Sequence, residues 1–342
     1  MGREKVYNFD AIFDQDSTQD QVFEDCERLI QSAVDGYNVI IFAYGQTGSG
    51  KTFTIQGNEE NPGLTPRSIV KMFDIIREMT NFKVKLTCTM VELYLADLRD
   101  LLLPPHSEVK DLEVKEQAGK VVINNVTEVE ILSVTQCEEI FMDGLSRRKT
   151  RQTNMNDASS RSHLIFSIMI DTANVNTGVR NVGKLTFVDL AGSEKQSKTG
   201  TDKQGQEEAN AINMSLSALG NVIQALSEGQ KHIPYRNHLL TKLMKDSLGG
   251  TAKTLMFVNC SPSVYNEGEM RNSLDYATRV KKIKNTVTKN TETKETLKLK
   301  KCIADFESQM DQMSELLLQS DQADAWAQMK QKFIEHYESV GL

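Results

Sequence analysis

The chain has 342 residues, a formal net charge of −7, 39% apolar and 6% aromatic residues, which suits one large α/β domain plus an appendage and argues against a nucleic-acid binder. No apolar run approaches the roughly 18 residues of a membrane-spanning helix, and Met1-Gly2-Arg3-Glu4-Lys5 leads into no signal-peptide core. Cys26, Cys88, Cys137, Cys260 and Cys302 never fall in C-x-x-C spacing, so they read as reduced thiols of a cytosolic protein rather than metal ligands or a disulfide framework.

The first helical pattern, residues 21–34, leads to the apolar run Val39-Ile40-Ile41-Phe42-Ala43-Tyr44, which reads as a buried strand. Directly after it comes Gly45-Gln46-Thr47-Gly48-Ser49-Gly50-Lys51-Thr52, a match to G-x-x-x-x-G-K-[ST]. In such a loop the glycines let backbone N–H groups turn inward and cradle phosphates. Lys51 supplies a point charge for the β- and γ-phosphates, and the Thr52 hydroxyl suits Mg²⁺. A bound nucleoside triphosphate is therefore expected. A helix over 68–79 follows, then a strand over 84–95. The basic cluster Arg147-Arg148-Lys149-Thr150-Arg151 reads as a solvated face or a docking surface.

Two more segments suit a γ-phosphate sensor. Asn156-Asp157-Ala158-Ser159-Ser160-Arg161-Ser162-His163 stands before a strand over 163–171 and offers hydroxyls for Mg²⁺ and water, with a guanidinium beside them. Asp189-Leu190-Ala191-Gly192-Ser193-Glu194 follows a strand over 184–190, where an acid holding the Mg²⁺ shell belongs. Gly192 can bring a backbone N–H close to the γ-phosphate. Ile212, Leu216, Leu219, Ile223 and Leu226 form the stripe of a helix over 207–227, and a further strand is expected over 253–260. Strands alternating with helices predict a sheet with helices on both faces.

Near residue 285 the composition turns polar, and 285–296 reads as a linker. Leu299, Ile303, Phe306, Met310, Met313 and Leu317 then recur at gaps of 4, 3, 4, 3 and 4, a short heptad seam that serves either a coiled coil or one amphipathic helix. Trp326, Met329, Phe333 and Tyr337 suggest a second short helix. The division expected is a domain over 1–284 and a linker with amphipathic helices over 285–342. Basic residues crowd 279–301, where only Glu292 and Glu295 oppose them.

These motifs together resemble the kinesin motor domain over about residues 5–284. The resemblance rests on the run from Phe42 to Thr52, the stretch ending in His163 (switch I), Val188 to Glu194 (switch II), Ile212-Asn213-Met214-Ser215-Leu216-Ser217-Ala218-Leu219-Gly220, Ile233-Pro234-Tyr235-Arg236, Asp246-Ser247-Leu248-Gly249-Gly250 and Asn259-Cys260-Ser261-Pro262. Asp35-Gly36-Tyr37-Asn38-Val39 and the strand from Lys253 to Asn259 resemble the minus-end-directed group, and within it the calmodulin-binding branch. The resemblance implies a P-loop NTPase fold with a mostly parallel, mixed sheet and a C-terminal helical extension. It implies ATP with Mg²⁺, microtubule-stimulated hydrolysis, and a cytoplasmic location on microtubules.

By matching position, Lys51 and Thr52 meet the phosphates and Mg²⁺, Ser160 completes the metal shell, and Asp189 stands behind it through water. Arg161 and Glu194 form a switch-closing salt bridge, with Ser159 and Gly192 completing the catalytic set. The helix over 208–227, with 234–245, faces the filament.

The sequence departs from the family in two places. The family's first strand, interior to its sheet, has no counterpart before Lys5-Val6-Tyr7-Asn8-Phe9-Asp10. That points to a fragment, or to a compromised motor. Met214 and Leu239 stand where the family usually has lysines, which weakens attraction to acidic tubulin. Two other readings therefore stand beside the motile ATPase. One is a nucleotide-binding, non-motile microtubule-associated protein. The other is a motor regulated through calmodulin or a related calcium sensor on its C-terminal helix, where Lys298, Lys300 and Lys301 flank Leu299, Ile303 and Phe306. Dimerisation would use segments outside this chain.

Overall fold

The computed structural model describes residues 5–117, 120–152, 161–194, 203–317, 329 and 331. α1 (Gln19–Glu24) and α2 (Glu27–Val34) precede β1 (Asn38–Tyr44), and α3 (Lys51–Ile55) and α4 (Leu64–Glu78) follow it. Next come β2 (Phe82–Tyr94), β3 (Asp97–Asp100), the hairpin β4 (Glu113–Gln117) and β5 (Lys120–Asn124), β6 (Val129–Ile131), and α5 (Val134–Gln152). The chain continues through β7 (Ser162–Asn174), β8 (Arg180–Asp189), α6 (Lys203–Ser227), α7 (Leu239–Leu243), β9 (Lys253–Val258), α8 (Glu267–Val280) and α9 (Lys294–Leu317).

The main sheet runs in the order β3-β2-β7-β8-β1-β9, with β6 also paired to β2. β1 is parallel to both β8 and β9, whereas β2 is antiparallel to β3, β6 and β7. The sheet is therefore mixed. All seven residues of β1 are buried. Their side chains alternate: Val39, Ile41 and Ala43 enter one apolar cluster, and Ile40, Phe42 and Tyr44 enter the other. A strand covered on both faces has no polar side to show, which is why its sequence is one unbroken apolar run. The first cluster is closed by Ile30, Ile69, Met72 and Phe141 of α2, α4 and α5, the second by Leu216, Leu219, Leu240 and Tyr276 of α6, α7 and α8.

Local chemistry moves several boundaries. The helix expected over 21–34 is two helices. α1 starts earlier because Thr18 and Gln21 form a reciprocal capping box, and it ends at Glu24 with Asp25 as its C-cap. α4 starts at Leu64 because Pro66 falls in its first turn, where no amide donor is needed. The elements α3, β3, α5, α7 and α8, the β4–β5 hairpin and β6 have no counterpart among the elements expected from the sequence. The stretch 285–291, expected as a linker, is tied to the domain. Asn285 donates to the carbonyls of Ser247 and Ala252 and accepts from the Gly249 amide, and Asn290 donates to the carbonyl of Gly36.

β9 is the last strand on the sheet path, and all six of its residues are half-buried. Among the described residues its neighbour is β1 alone, so one row of backbone groups faces away from the sheet.

The chain divides into two compact units, one of residues Met1–Val175 with Asn181–Thr291 and one of Asn176–Arg180 with Glu292–Leu342. The second unit contains α9 and an Arg180–Glu292 ion pair at 3.3 Å. The second C-terminal helix suggested by Trp326, Phe333 and Tyr337 lies outside the described residues. Among the described residues no helix is long and apolar enough to cross a membrane.

The approach of α2 to β8 is the tightest constraint on the first layer. A Cβ at Gly183 would lie 1.8 Å from the Ala33 carbonyl oxygen and 2.9 Å from its carbon, both backbone atoms that cannot swing away. Gly183→Ala is expected to lower stability by about 1–3 kcal/mol or more, read as a lower urea midpoint with an unchanged slope.

Candidate active site

β1 and β8 run side by side in parallel, with Ala43 opposite Asp189. Both strands end at the same edge, and the crevice beyond the carboxyl ends of parallel strands is where open α/β sheets bind ligands. The 45–52 loop leaves β1 there. Gly45, Gly48 and Gly50 all have positive φ, at 155°, 76° and 99°. Gly45 is further constrained by space, since a Cβ would lie 2.2 Å from the Asn259 carbonyl oxygen. That contact follows from β9, whose Asn259 amide donates to Tyr44 O at 2.8 Å. The Ser193 amide donates to Gly45 O at 3.0 Å and seats the loop after β8 against the first loop.

Lys51 is buried, and its ammonium donates to the loop's own Gln46 carbonyl at 2.8 Å. Burial pulls its pKa below the usual lysine value, opposed by the carboxylates of Asp189 and Glu194. Asp189 is 2% exposed. Its Oδ2 accepts from the Thr52 hydroxyl at 2.8 Å and from Gln56 Nε2 at 3.3 Å, while its Oδ1 is buried with no partner. A threonine hydroxyl beside a carboxylate with one free buried oxygen is a hard oxygen donor set, and it fits Mg²⁺. Gln46 Oε1 and Asn259 Oδ1 are likewise buried without partners at this edge.

Glu194, expected as the partner of Arg161, meets Thr47 among the described residues. Its carboxylate folds back over Gly192 onto the phosphate-type loop, accepting from the Thr47 amide at 2.7 Å and the Thr47 hydroxyl at 2.5 Å. Two donors on one residue hold it there, and the charge-assisted bonds are the strong kind. Arg161 lies just before β7, at the same end of the sheet. Ser159 and Ser160 lie outside the described residues.

Behind Asp189 is a group that the reading of the sequence missed. Arg148, expected on a solvated or docking face, is 3% exposed. Its guanidinium lies 3.4 Å from Glu92 Oε1 and 3.6 Å from Asp189 Oδ2, and donates to the Ser162 carbonyl at 3.1 Å. Ser162 Oγ in turn donates to Glu92 at 2.7 Å. The signal was present in α5: Cys137, Phe141, Leu145 and Arg148 fall at gaps of 4, 4 and 3, which puts the arginine on the apolar stripe.

His163 was quoted in a motif but given no role. It is 3% exposed, Nδ1 accepts from the Ala191 amide at 3.0 Å, and Nε2 lies 3.0 Å from Ser215 Oγ. Burial, with His238, Arg148 and Lys51 nearby, pushes its pKa down to about 3, so the ring is neutral. A groove of about 1180 Å³ opens beside the loops, between α6 and α8, with Tyr44, Ser193, Leu216 and Tyr276 in its walls. It neighbours the phosphate-type loop without containing it.

Residues 1–283 match the family model of the kinesin motor domain. The chain is 52% identical over 315 residues to the kinesin-like protein KIN-14I of Oryza sativa subsp. japonica, and 51% identical over 315 residues to KIN-14E of Arabidopsis thaliana. Each alignment covers 92% of this chain and 25% of the relative, so the chain spans about a quarter of their length. To the human Kinesin-1 heavy chain it is 43% identical over 294 residues, covering 84% of this chain and 30% of that one. A solved structure of a fast kinesin superposes with a TM-score of 0.78 at 40% identity, covering 84% of this chain and 82% of its own. The C-terminal motor and motor homology domain of Kar3Vik1, fused to a synthetic coiled coil, superposes with a TM-score of 0.71 at 40% identity, covering 80% and 72%. Identity at this level over most of the chain, on the same mixed sheet, establishes that the chain belongs to the kinesin motor domain family.

Proposed function

We propose that this chain binds ATP with Mg²⁺ at the 45–52 loop, hydrolyses it under microtubule stimulation, and turns the cycle into movement or tethering along cytoplasmic microtubules. The observation that supports this most directly is the convergence of Lys51, Thr52, Asp189 and Glu194 at the carboxyl ends of two adjacent parallel strands. Phosphoryl transfer needs little covalent chemistry from the protein; it needs positioning and charge at the transferring group.

In this reading the amides of residues 45–52 cradle the phosphates, and Lys51 leaves the Gln46 carbonyl for them. Thr52 and Ser160 would hold Mg²⁺, with Asp189 standing behind it through water. The metal supplies neutralisation of charge on the β- and γ-oxygens. Gly192 presents its amide to the γ-phosphate, and Ser159 lines the water. Water attacks phosphorus, the bond to the β–γ bridging oxygen breaks, ADP departs, and the water's proton passes toward Glu194. For that step Glu194 first leaves Thr47 and meets Arg161.

A second reading concerns the C-terminal unit by itself. Leu299, Phe306 and Met313 of α9 are spaced by seven and all exposed. An apolar stripe with solvent exposure at every second turn, and lysines at its start, would suit a helix-in-groove contact with calmodulin or a related calcium sensor.

Three outcomes are expected. Steady-state turnover rises with microtubules, and Lys51→Ala lowers it by about 10²–10³-fold or more. Parental-rate hydrolysis by this variant would remove the loop from the mechanism. Met214→Lys tightens microtubule co-sedimentation by about 0.2–1 kcal/mol at low salt, and the gain fades above about 0.1 M salt. Met214 is 59% exposed on α6, so a lysine there costs no packing. Leu239 is not equivalent, since it is half-buried against the second apolar cluster. Finally, the chain is retained on immobilised calmodulin in Ca²⁺ and released by chelator, and Phe306→Asp abolishes retention. Retention without Ca²⁺ dependence, or self-association of α9 in its place, would overturn the second reading.

A further inference from the structure

The hydrogen positions around His163 follow from its neighbours. The Ala191 amide can only donate, so Nδ1 carries a lone pair. In a neutral ring the proton then sits on Nε2, which donates to Ser215 Oγ at 3.0 Å. With that oxygen accepting, the Ser215 hydroxyl proton goes to the Ile212 carbonyl at 2.8 Å. One directed chain therefore runs from the Ala191 amide through the imidazole to Ser215 and the backbone of α6. All of it is buried: Ala191 is 0%, His163 3% and Ser215 1% exposed.

Its two ends are the parts that have to communicate. Ala191 lies between Asp189 and Gly192, in the loop that meets the γ-phosphate in the function proposed above. Ser215 lies on α6, on the side that faces the sheet, with Ile212 and Leu216 of the second apolar cluster beside it. His163 itself is the second residue of β7, directly after the segment that carries Ser159, Ser160 and Arg161. A single ring thus touches the backbone of one loop and a side chain of the helix, from a strand that leads out of the other loop.

We propose that His163 is a positioning residue that couples the Asp189–Glu194 loop to α6, reporting movement of the Ala191 amide to Ser215. It contacts no reacting atom. Neither half of the link can be supplied by packing, because each bond fixes the ring's orientation for the other. If the loop shifts toward a phosphate, the Ala191 amide carries the ring, and the ring either draws Ser215 along or loses it. Either response changes the seating of the 212–216 turn. Allosteric coupling is a difference in free energy between two states, and one bond kept in one state and broken in the other is enough to create it.

This inference rests on the nucleotide-switch reading, and its test needs no microtubule. Amide hydrogen exchange of residues 212–223 is measured in ADP and in a non-hydrolysable ATP analogue, for the parental chain, Ser215→Ala and His163→Asn. Asparagine keeps an acceptor near Nδ1 for Ala191 and is too short for Ser215. The parental chain is expected to change protection between the two nucleotides by about tenfold, a coupling of ordinary size. Ser215→Ala and His163→Asn are each expected to reduce the change to within twofold, and the double variant to add nothing, since both cut one link. Nitrogen shifts of the imidazole are expected to show the Nε2–H tautomer in both nucleotides. Retention of the parental change in Ser215→Ala, absence of any change in the parental chain, or an Nδ1–H tautomer would each overturn the proposal. Should His163→Asn fail to fold, Ser215→Ala decides alone. Co-sedimentation of the parental chain with microtubules, run in parallel, reports separately on the filament reading.

Discussion

The parallel pairing of β1 with β8 is the constraint on which the site depends. It sets Ala43 beside Asp189, so that the 45–52 loop and the 189–194 loop leave the sheet at the same edge, one strand apart. A slip of one residue would turn Asp189 from the site to the opposite face and would exchange the two apolar sets of β1. The register is therefore held by both cores at once. That double burial explains why a functional edge can be rigid while its loops stay free to rearrange.

The same edge carries four buried charges that balance. Arg148 and Lys51 are cations, and Glu92 and Asp189 are anions, each less than a tenth exposed. Burying an unmatched charge is costly, and a paired set survives only when its remaining donors and acceptors are satisfied. Arg148 meets this condition through Ser162 and both carboxylates. Lys51 and Asp189 meet it only in part, since one holds a backbone carbonyl and the other has an oxygen with no partner. A balanced set with two incompletely used members is poised for a ligand that brings both signs of charge. On the proposed function that ligand is a triphosphate with its divalent cation, the phosphates meeting the Lys51 ammonium and the cation lying toward the Asp189 oxygen that has no partner.

How much of this the sequence made legible follows from which physical signals are local. The 45–52 loop and the 189–194 segment stand out in the sequence because glycines, a lysine and acids at fixed offsets are contiguous. β1 could be read because two-sided burial leaves an unbroken apolar run. Arg148 could not be read by charge, because a basic cluster looks the same whether its members are solvated or turned inward. Only its phase with Cys137, Phe141 and Leu145 reveals the difference. The capping box of Thr18 and Gln21 and the tolerated Pro66 were local signals that the apolar periodicity overshadowed. The Glu194–Thr47 contact joins residues 147 positions apart and depends on loop conformation, so no spacing could announce it.

Glu194 and His163 together suggest how the two loops divide their work. Glu194 holds the far end of the 189–194 loop on Thr47 of the phosphate-type loop, and His163 holds its middle, at Ala191, toward α6. Gly192 lies between these two anchors with no side chain of its own, and a Cβ there would lie 2.3 Å from the Thr47 hydroxyl. The crowding means that only glycine fits between Thr47 and the Glu194 carboxylate in this arrangement. On the proposed function, movement of this loop is what the imidazole would transmit. Two bonds to a carboxylate and one to a neutral ring thus hold the loop at its far end and at its middle, with Gly192 between them.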